Sequence, residues 1–256
     1  MQRILGYMRK AIQEFDMIQD GDKIAVGVSG GKDSLVLLMG LILLKRFIGI
    51  DYELTAVTLD PMFGGVPGDY SAVEKLCSEH GVEYILKRTK IGEIVFDIRR
   101  EEHPCSLCAR MRRGALHDAA KEAGCNKVAL GHHYNDAVET FMMILFIEGR
   151  IGCFSPKSYL SRKELWMIRP LVFAPESAIK SAVKRNNIEI VKSKCPADGN
   201  TKREEMKEFL MQREREDHGF TDRIFGAMRR AGVNGWGFKE TKGDLSLIHI
   251  SEPTRH

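Results

Sequence analysis

Long apolar runs are missing from this 256-residue chain: the longest, LVLLMGLILL, has ten residues, about half of what a bilayer-crossing helix needs. The opening MQRILGYMRK lacks the extended apolar region of a secretory leader. A cytoplasmic protein, not bound to membrane, is therefore expected. An excess of one charge sign is also scarce, since 39 Lys and Arg face 35 Asp and Glu for a formal +4. That total by itself points to no polyanionic partner. No internal repeat is present. Cysteine is limited to Cys77, Cys105, Cys108, Cys125, Cys153 and Cys195, and without an export signal these are buried thiols or ligands rather than a disulfide framework.

The charge that does exist is placed unevenly. Between Lys87 and Arg113 eight basic residues face four acidic ones, an excess equal to that of the whole chain. Helical spacing of Ile4, Leu5, Met8, Ile12 and Phe15 predicts a first helix. KIAVGVS reads as a strand, a helix follows from about Ser34 to Phe47, and YELTAVTLD is a second strand running into the loop PMFGGVPGD. YSAVEKLCSEHG reads as helix, VEYILKRT as strand, CARMRRGALHDAAKEAG as helix, NKVALGHH as strand and NDAVETFMMILFI as a buried helix. Beyond Lys157 the pattern weakens to a loop, a short helix and one polar helix, TKREEMKEFLMQRERED.

Strands alternating with helices imply an α/β fold with a doubly wound parallel sheet. The expected organisation is an N-terminal helix (1–20), the main domain (21–200), a C-terminal helical extension (201–238) and a tail (239–256) that leaves the helical pattern. The tail reads as disordered or artefactual, and truncation after Phe238 is expected to leave activity intact. In such sheets ligands sit at the carboxyl ends of the strands, which puts SGGKDS, LDPMFGG and GHHYND on one rim.

SGGKDS is not a Walker P-loop, because Val26 stands where a glycine is required and Asp33, not a hydroxyl residue, follows Lys32. It nonetheless suits a polyphosphate. Gly30 and Gly31 let amides turn toward an anion, Ser29 and Ser34 add hydroxyls, Lys32 adds a charge at a helix start, and Asp33 suits Mg2+. An ordinary strand-to-helix turn with a surface lysine is the plain alternative. SGGKDS after a strand resembles the PP-loop (N-type) ATP pyrophosphatases, and the resemblance implies a Rossmann-like fold and cleavage of ATP between its α and β phosphates.

Cys105 and Cys108 lie two residues apart at a helix entry, and Cys195 lies ninety residues further on beside Pro196. Three thiolates suit a cubane cluster with one iron left open, or a zinc staple completed by His103 or another cysteine. Cys77, Cys125 and Cys153 sit in apolar or structural stretches and read as buried thiols.

Taken in order, SGGKDS, CSLCARMRRGAL, ALGHHYNDAVET, IRPL and the late cysteine resemble the TtcA-like tRNA 2-thiocytidine synthetases, from about Met1 to Phe238. The resemblance implies a [4Fe-4S] cluster on Cys105, Cys108 and Cys195, with ATP and Mg2+ as further cofactors. It also implies a catalytic set of Lys32, Asp33 and Asp136, and nucleotide binding by Ser29 to Ser34 together with Gly131 and His132. Thr58 and Asp60 are placed near the adenosine, His133 is assigned to packing, and Arg110, Arg112 and Arg113 are divided between the site and tRNA phosphates. The implied partners are tRNA and a sulfur donor such as a cysteine desulfurase. A homodimer is a further expectation, with the N-terminal helix either at its interface or covering the sheet. Two departures are Asn135, where the family often has aspartate, and Asp198, where some members have another cysteine. Rival readings are a lysidine-synthetase-like ligase, which has no use for three placed cysteines, and a zinc-stapled nucleotide-binding module without turnover.

Overall fold

The computed structural model describes residues 1–99, 104–191, 194–196 and 202–238. Arg100, His103, Asp198 and the tail 239–256 lie outside the described residues, as do the readings that rest on them. Six strands form one sheet: β1 (Asp22–Gly27), β2 (Tyr52–Asp60), β3 (Glu83–Arg88), β4 (Lys127–Ala129), β5 (Lys157–Leu160) and β6 (Leu165–Ile168). Their spatial order is β3-β2-β1-β4-β6-β5. All pairs are parallel except β5–β6. The order reverses between β1 and β4, and the crevice beyond that reversal is where such sheets bind ligands.

The expected parallel sheet is thus corrected at one edge, where β5 runs antiparallel to β6. Both strands escaped the sequence reading because each is only four residues long and LWMI is largely buried, without a clean alternation. The late polar helix is α7 (Lys202–Glu216), and a separate helix, α8 (Phe220–Arg230), follows it. They are separated at Gly219, whose φ of 82° no continuous helix contains.

The first helix, α1 (Gln2–Glu14), buries Ile4, Met8, Ala11 and Ile12. It lies on α2 (Lys32–Leu44), where Gly40 leaves the room that the Met8 thioether fills. The apolar stripe of α1 is therefore part of the chain's own core. α3 (Ser71–Glu79), α4 (Pro104–Glu122), α5 (Tyr134–Glu148) and α6 (Glu176–Arg185) complete the layers over the sheet. No helix among the described residues is long and apolar enough to cross a membrane.

The C-terminal segment closes on the same core. Trp236 is fully buried, its indole N–H donates to the Phe154 carbonyl at 2.6 Å, and its ring meets Phe15, Phe154 and Phe225 at 5.3–6.0 Å. Replacing Trp236 with Ala is expected to cost about 3–5 kcal/mol, because a large cavity and an unpaired carbonyl remain. Urea denaturation of the variant checks this, and a loss below about 1 kcal/mol would show that 233–238 is not part of the cooperative core.

Candidate functional site

The glycine turn between β1 and α2 is held by its own serines. Ser34 Oγ donates to the Gly31 carbonyl at 2.9 Å and accepts from the Ser29 amide at 3.2 Å, while the Gly31 amide donates to Ser29 Oγ at 3.3 Å. Gly30 has φ +81°, and a Cβ there would stand 2.6 Å from the Val191 Cβ. The Val191 amide donates to the Gly30 carbonyl at 3.0 Å. The turn thus requires glycine both for its backbone angle and for the chain pressed against it. Gly131 serves a similar purpose on the other side, where a Cβ would lie 3.1 Å from the Ser34 nitrogen.

His133 caps α5. Its Nδ1 accepts from the Asp136 amide at 3.4 Å, and its own amide donates to Asp136 Oδ2 at 2.9 Å. The His133 Nε2 then lies 3.7 Å from Asp33 Oδ1, so a residue assigned only to packing stands between the two candidate aspartates. Asp33 Oδ1 is buried with no hydrogen-bond partner, an orphaned acceptor suited to a cation. His132 packs on Phe154 at 4.9 Å. Burial, followed by the nearby Arg169, depresses its pKa to about 4, so it is neutral at physiological pH.

A cleft of about 430 Å³ opens over this turn, lined by Gly27 to Ser29, Gly31, Asp33 and Ser34 on one side and by Leu130, Gly131, His132 and Asp136 on the other. Arg112, Arg113 and Arg203 also face it. A second pocket of about 210 Å³ shares Ser29, Gly31 and Arg112 with the first, and adds Asp60, Phe63, Tyr70, Lys194 and Cys195. Asp60 therefore lines the second space, with its carboxylate accepting the Met62 and Gly68 amides at 3.0 and 2.9 Å. Thr58 lines neither space. Strand alternation sends Val57 and Leu59 to the cleft and Thr58 to the opposite face, where its hydroxyl donates to the Val28 carbonyl at 2.8 Å. Arg110 is exposed and borders neither pocket.

Cys105 is exposed, Cys108 buried and Cys195 half-buried. Burial pushes the Cys108 thiol up, Arg112 opposes it, and Cys195 and Cys105 both add to the rise. The three sulfurs therefore share one electrostatic neighbourhood. Among the described residues no three His, Cys, Asp or Glu side chains stand at metal-ligating separation. Cys77, Cys125 and Cys153 are buried elsewhere, and burial raises Cys77 to about 11 and Cys153 to about 12.

Several site residues had no sequence signal. Lys32 does not line the cleft; its ammonium is held by Asp33 at 3.0 Å and Glu176 at 3.2 Å. Glu176 also pairs with Lys180 at 3.2 Å and Lys207 at 3.5 Å, and its amide donates to Asn135 Oδ1 at 2.9 Å. Asn135, the departure from the family's aspartate, thus caps the α6 start without adding charge to a crowded acidic cluster. Arg203 Nη1 binds Asp136 Oδ1 at 2.9 Å and its Nη2 binds Thr140 at 3.2 Å. The polar helix α7 therefore contributes two cations, Arg203 and Lys207, to the site.

The fold and this cradle define a class: residues 5–214 match the PP-loop domain family, and the chain belongs to it. Within the family it is similar to proteins named tRNA-cytidine(32) 2-sulfurtransferase. It is 38% identical to that of Citrifermentans bemidjiense over 218 residues, covering 84% of this chain and 85% of the relative. With that of Pelobacter propionicus the identity is 40% over 217 residues, or 84% and 80% of the two chains. Among solved structures, the U34-tRNA thiolase NcsA from Methanococcus maripaludis, described with its [4Fe-4S] cluster, shares the fold at a TM-score of 0.69 and 24% identity, covering 88% of this chain and 77% of that one.

Glu176 offers a direct test of the ionic hub. Burial opposes its ionisation, but Lys32 leads the cations that outweigh burial and hold its pKa at about 2 against an ordinary 4.5. Its stabilising contribution is complete above the unfolded value and is lost as pH falls from about 4.5 toward 2. The difference in unfolding free energy between wild type and Glu176→Gln is expected to be constant near neutrality and to shrink across that window. A pH-independent difference contradicts the assignment.

Proposed function

We propose that the chain is an ATP-dependent tRNA sulfurtransferase that activates the C2 oxygen of a cytidine in the anticodon loop and replaces it with sulfur. The observation that carries this reading is the sharing of Ser29, Gly31 and Arg112 by two adjoining spaces, one over the glycine turn and one beside Cys195. The names of the relatives support tRNA thiolation, and the PP-loop family supports ATP as the nucleotide.

In this reading the triphosphate lies over the turn, where the backbone amides and Lys32 balance the charge that develops as pyrophosphate leaves. Asp33, with its orphaned oxygen, and Asp136 are the residues to hold Mg2+. Lys32 begins paired with Asp33 and Glu176, so it is oriented before the nucleotide arrives. The C2 oxygen attacks the α phosphate and becomes part of AMP, a good leaving group; a sulfur nucleophile then takes its place on C2 and AMP departs with the oxygen.

Cys105, Cys108 and Cys195 fit a [4Fe-4S] cluster by donor chemistry: three thiols from two chain segments, with Cys195 and Cys105 near enough to add to the rise of the Cys108 thiol. When bound, a cluster with three protein ligands supplies an open iron site for sulfur delivery. Arg112, half-buried and facing both spaces, is placed to steady the phosphate while the acceptor approaches. Arg113 faces the cleft, and the exposed Arg110, which borders neither space, is left to meet tRNA phosphates.

Anaerobically purified protein is expected to carry a brown iron–sulfur chromophore. Cys105→Ser, Cys108→Ser and Cys195→Ser are each expected to lose the chromophore and the thionucleoside together, as read by absorbance and by nucleoside analysis of the tRNA. Thiolation by a colourless, iron-free variant would contradict the cluster assignment.

A further inference from the structure

The loop PMFGGVPGDY, between β2 and α3, takes no part in holding the glycine turn, yet it builds nearly half of the second pocket. Pro61, Phe63, Val66, Gly68, Asp69 and Tyr70 all line that space. Its shape is fixed. Asp60 accepts the Met62 and Gly68 amides, Phe63 packs edge-on against Phe96 at 5.6 Å, and Gly68 is glycine because the Tyr70 ring lies 2.7 Å from where its Cβ would be. The Lys194 ammonium reaches the Pro67 carbonyl at 3.2 Å, so the loop and the arm bearing Cys195 face one another across the opening.

We propose that this second pocket is the acceptor pocket and takes a pyrimidine base turned out of an RNA loop; the assignment rests on the proposed sulfurtransferase function. Position comes first. The acceptor oxygen must reach the α phosphate from the side away from the departing pyrophosphate, and the second pocket is the space that joins the cleft at the glycine turn, through Ser29 and Gly31. Lining comes second. Of the three candidate ligands only Cys195 borders the pocket, at one wall. Pro61, Phe63, Val66 and Tyr70 give the lining apolar and aromatic surface, and Asp69, Lys194 and Arg112 add charged groups. An unstacked base needs such flat apolar faces with polar groups at the rim. About 210 Å³ is room enough for one pyrimidine ring. Exposure comes third, since Val66 stays 54% exposed on this loop, an apolar side chain lining the pocket rather than the core.

The test uses the full-length chain and an anticodon stem–loop RNA in which 4-thiouridine replaces the target cytidine, irradiated with a non-hydrolysable ATP analogue present. Crosslinks are expected within residues 61–70. Val66→Trp, which fills the pocket, is expected to cut crosslinking by about tenfold, the scale of one lost base-stacking contact, while RNA affinity stays within about twofold. RNA that binds but crosslinks elsewhere overturns the pocket assignment alone. RNA that fails to bind overturns the sulfurtransferase reading itself. The iron content of Val66→Trp gives a second readout: loss of the chromophore with crosslinking unchanged would assign the pocket to the metal site and overturn the acceptor role.

Discussion

The arrangement depends on one backbone contact, the amide of Val191 donating to the carbonyl of Gly30. Residue 30 must be glycine to adopt φ +81° and to accept a valine side chain against its Cα. That contact fixes the glycine turn and also anchors the arm that carries Cys195, four residues later. A phosphate cradle and a distant cysteine, separated by more than half the chain, are thereby set at one rim.

Electrostatics then pre-set the cradle. Glu176 holds three lysines from three helices, Lys32 among them, and Arg203 holds Asp136. Individually such partly exposed pairs contribute little to stability. Their consequence is orientation, because they fix the lysine and the aspartate of the turn before any ligand enters. Helices α6 and α7 therefore belong to the site as much as the strands do.

The parts of this account that were legible in the sequence are those with local signals. Strand–glycine–helix order, the Cys105–Cys108 spacing and the GHH turn each announce themselves within a few residues, and the doubly wound sheet follows from their alternation. Three kinds of feature were not legible. The short strands β5 and β6 lack the length for a periodic signal, and β5 adds an antiparallel edge. Thr58 and Asp60 share the face of β2 turned from the cleft, and only their tertiary partners separate them: Thr58 braces the Val28 carbonyl and Asp60 shapes the neighbouring loop. Glu176, Arg203 and Lys207 become site residues only through tertiary packing, and charge patterning along α7 does not distinguish a solvated cation from one turned inward.

The central claim is that the cradle divides ATP between its α and β phosphates so that an oxygen can leave and sulfur can enter at the same rim. Its most direct test is the stoichiometry of a single anaerobic reaction with ATP, a sulfur source and unmodified tRNA, following nucleotide products and thionucleoside together. The account predicts AMP, pyrophosphate and 2-thiocytidine in equal amounts, with none formed when tRNA is omitted. Release of ADP and phosphate, or thiolation without nucleotide cleavage, would contradict it.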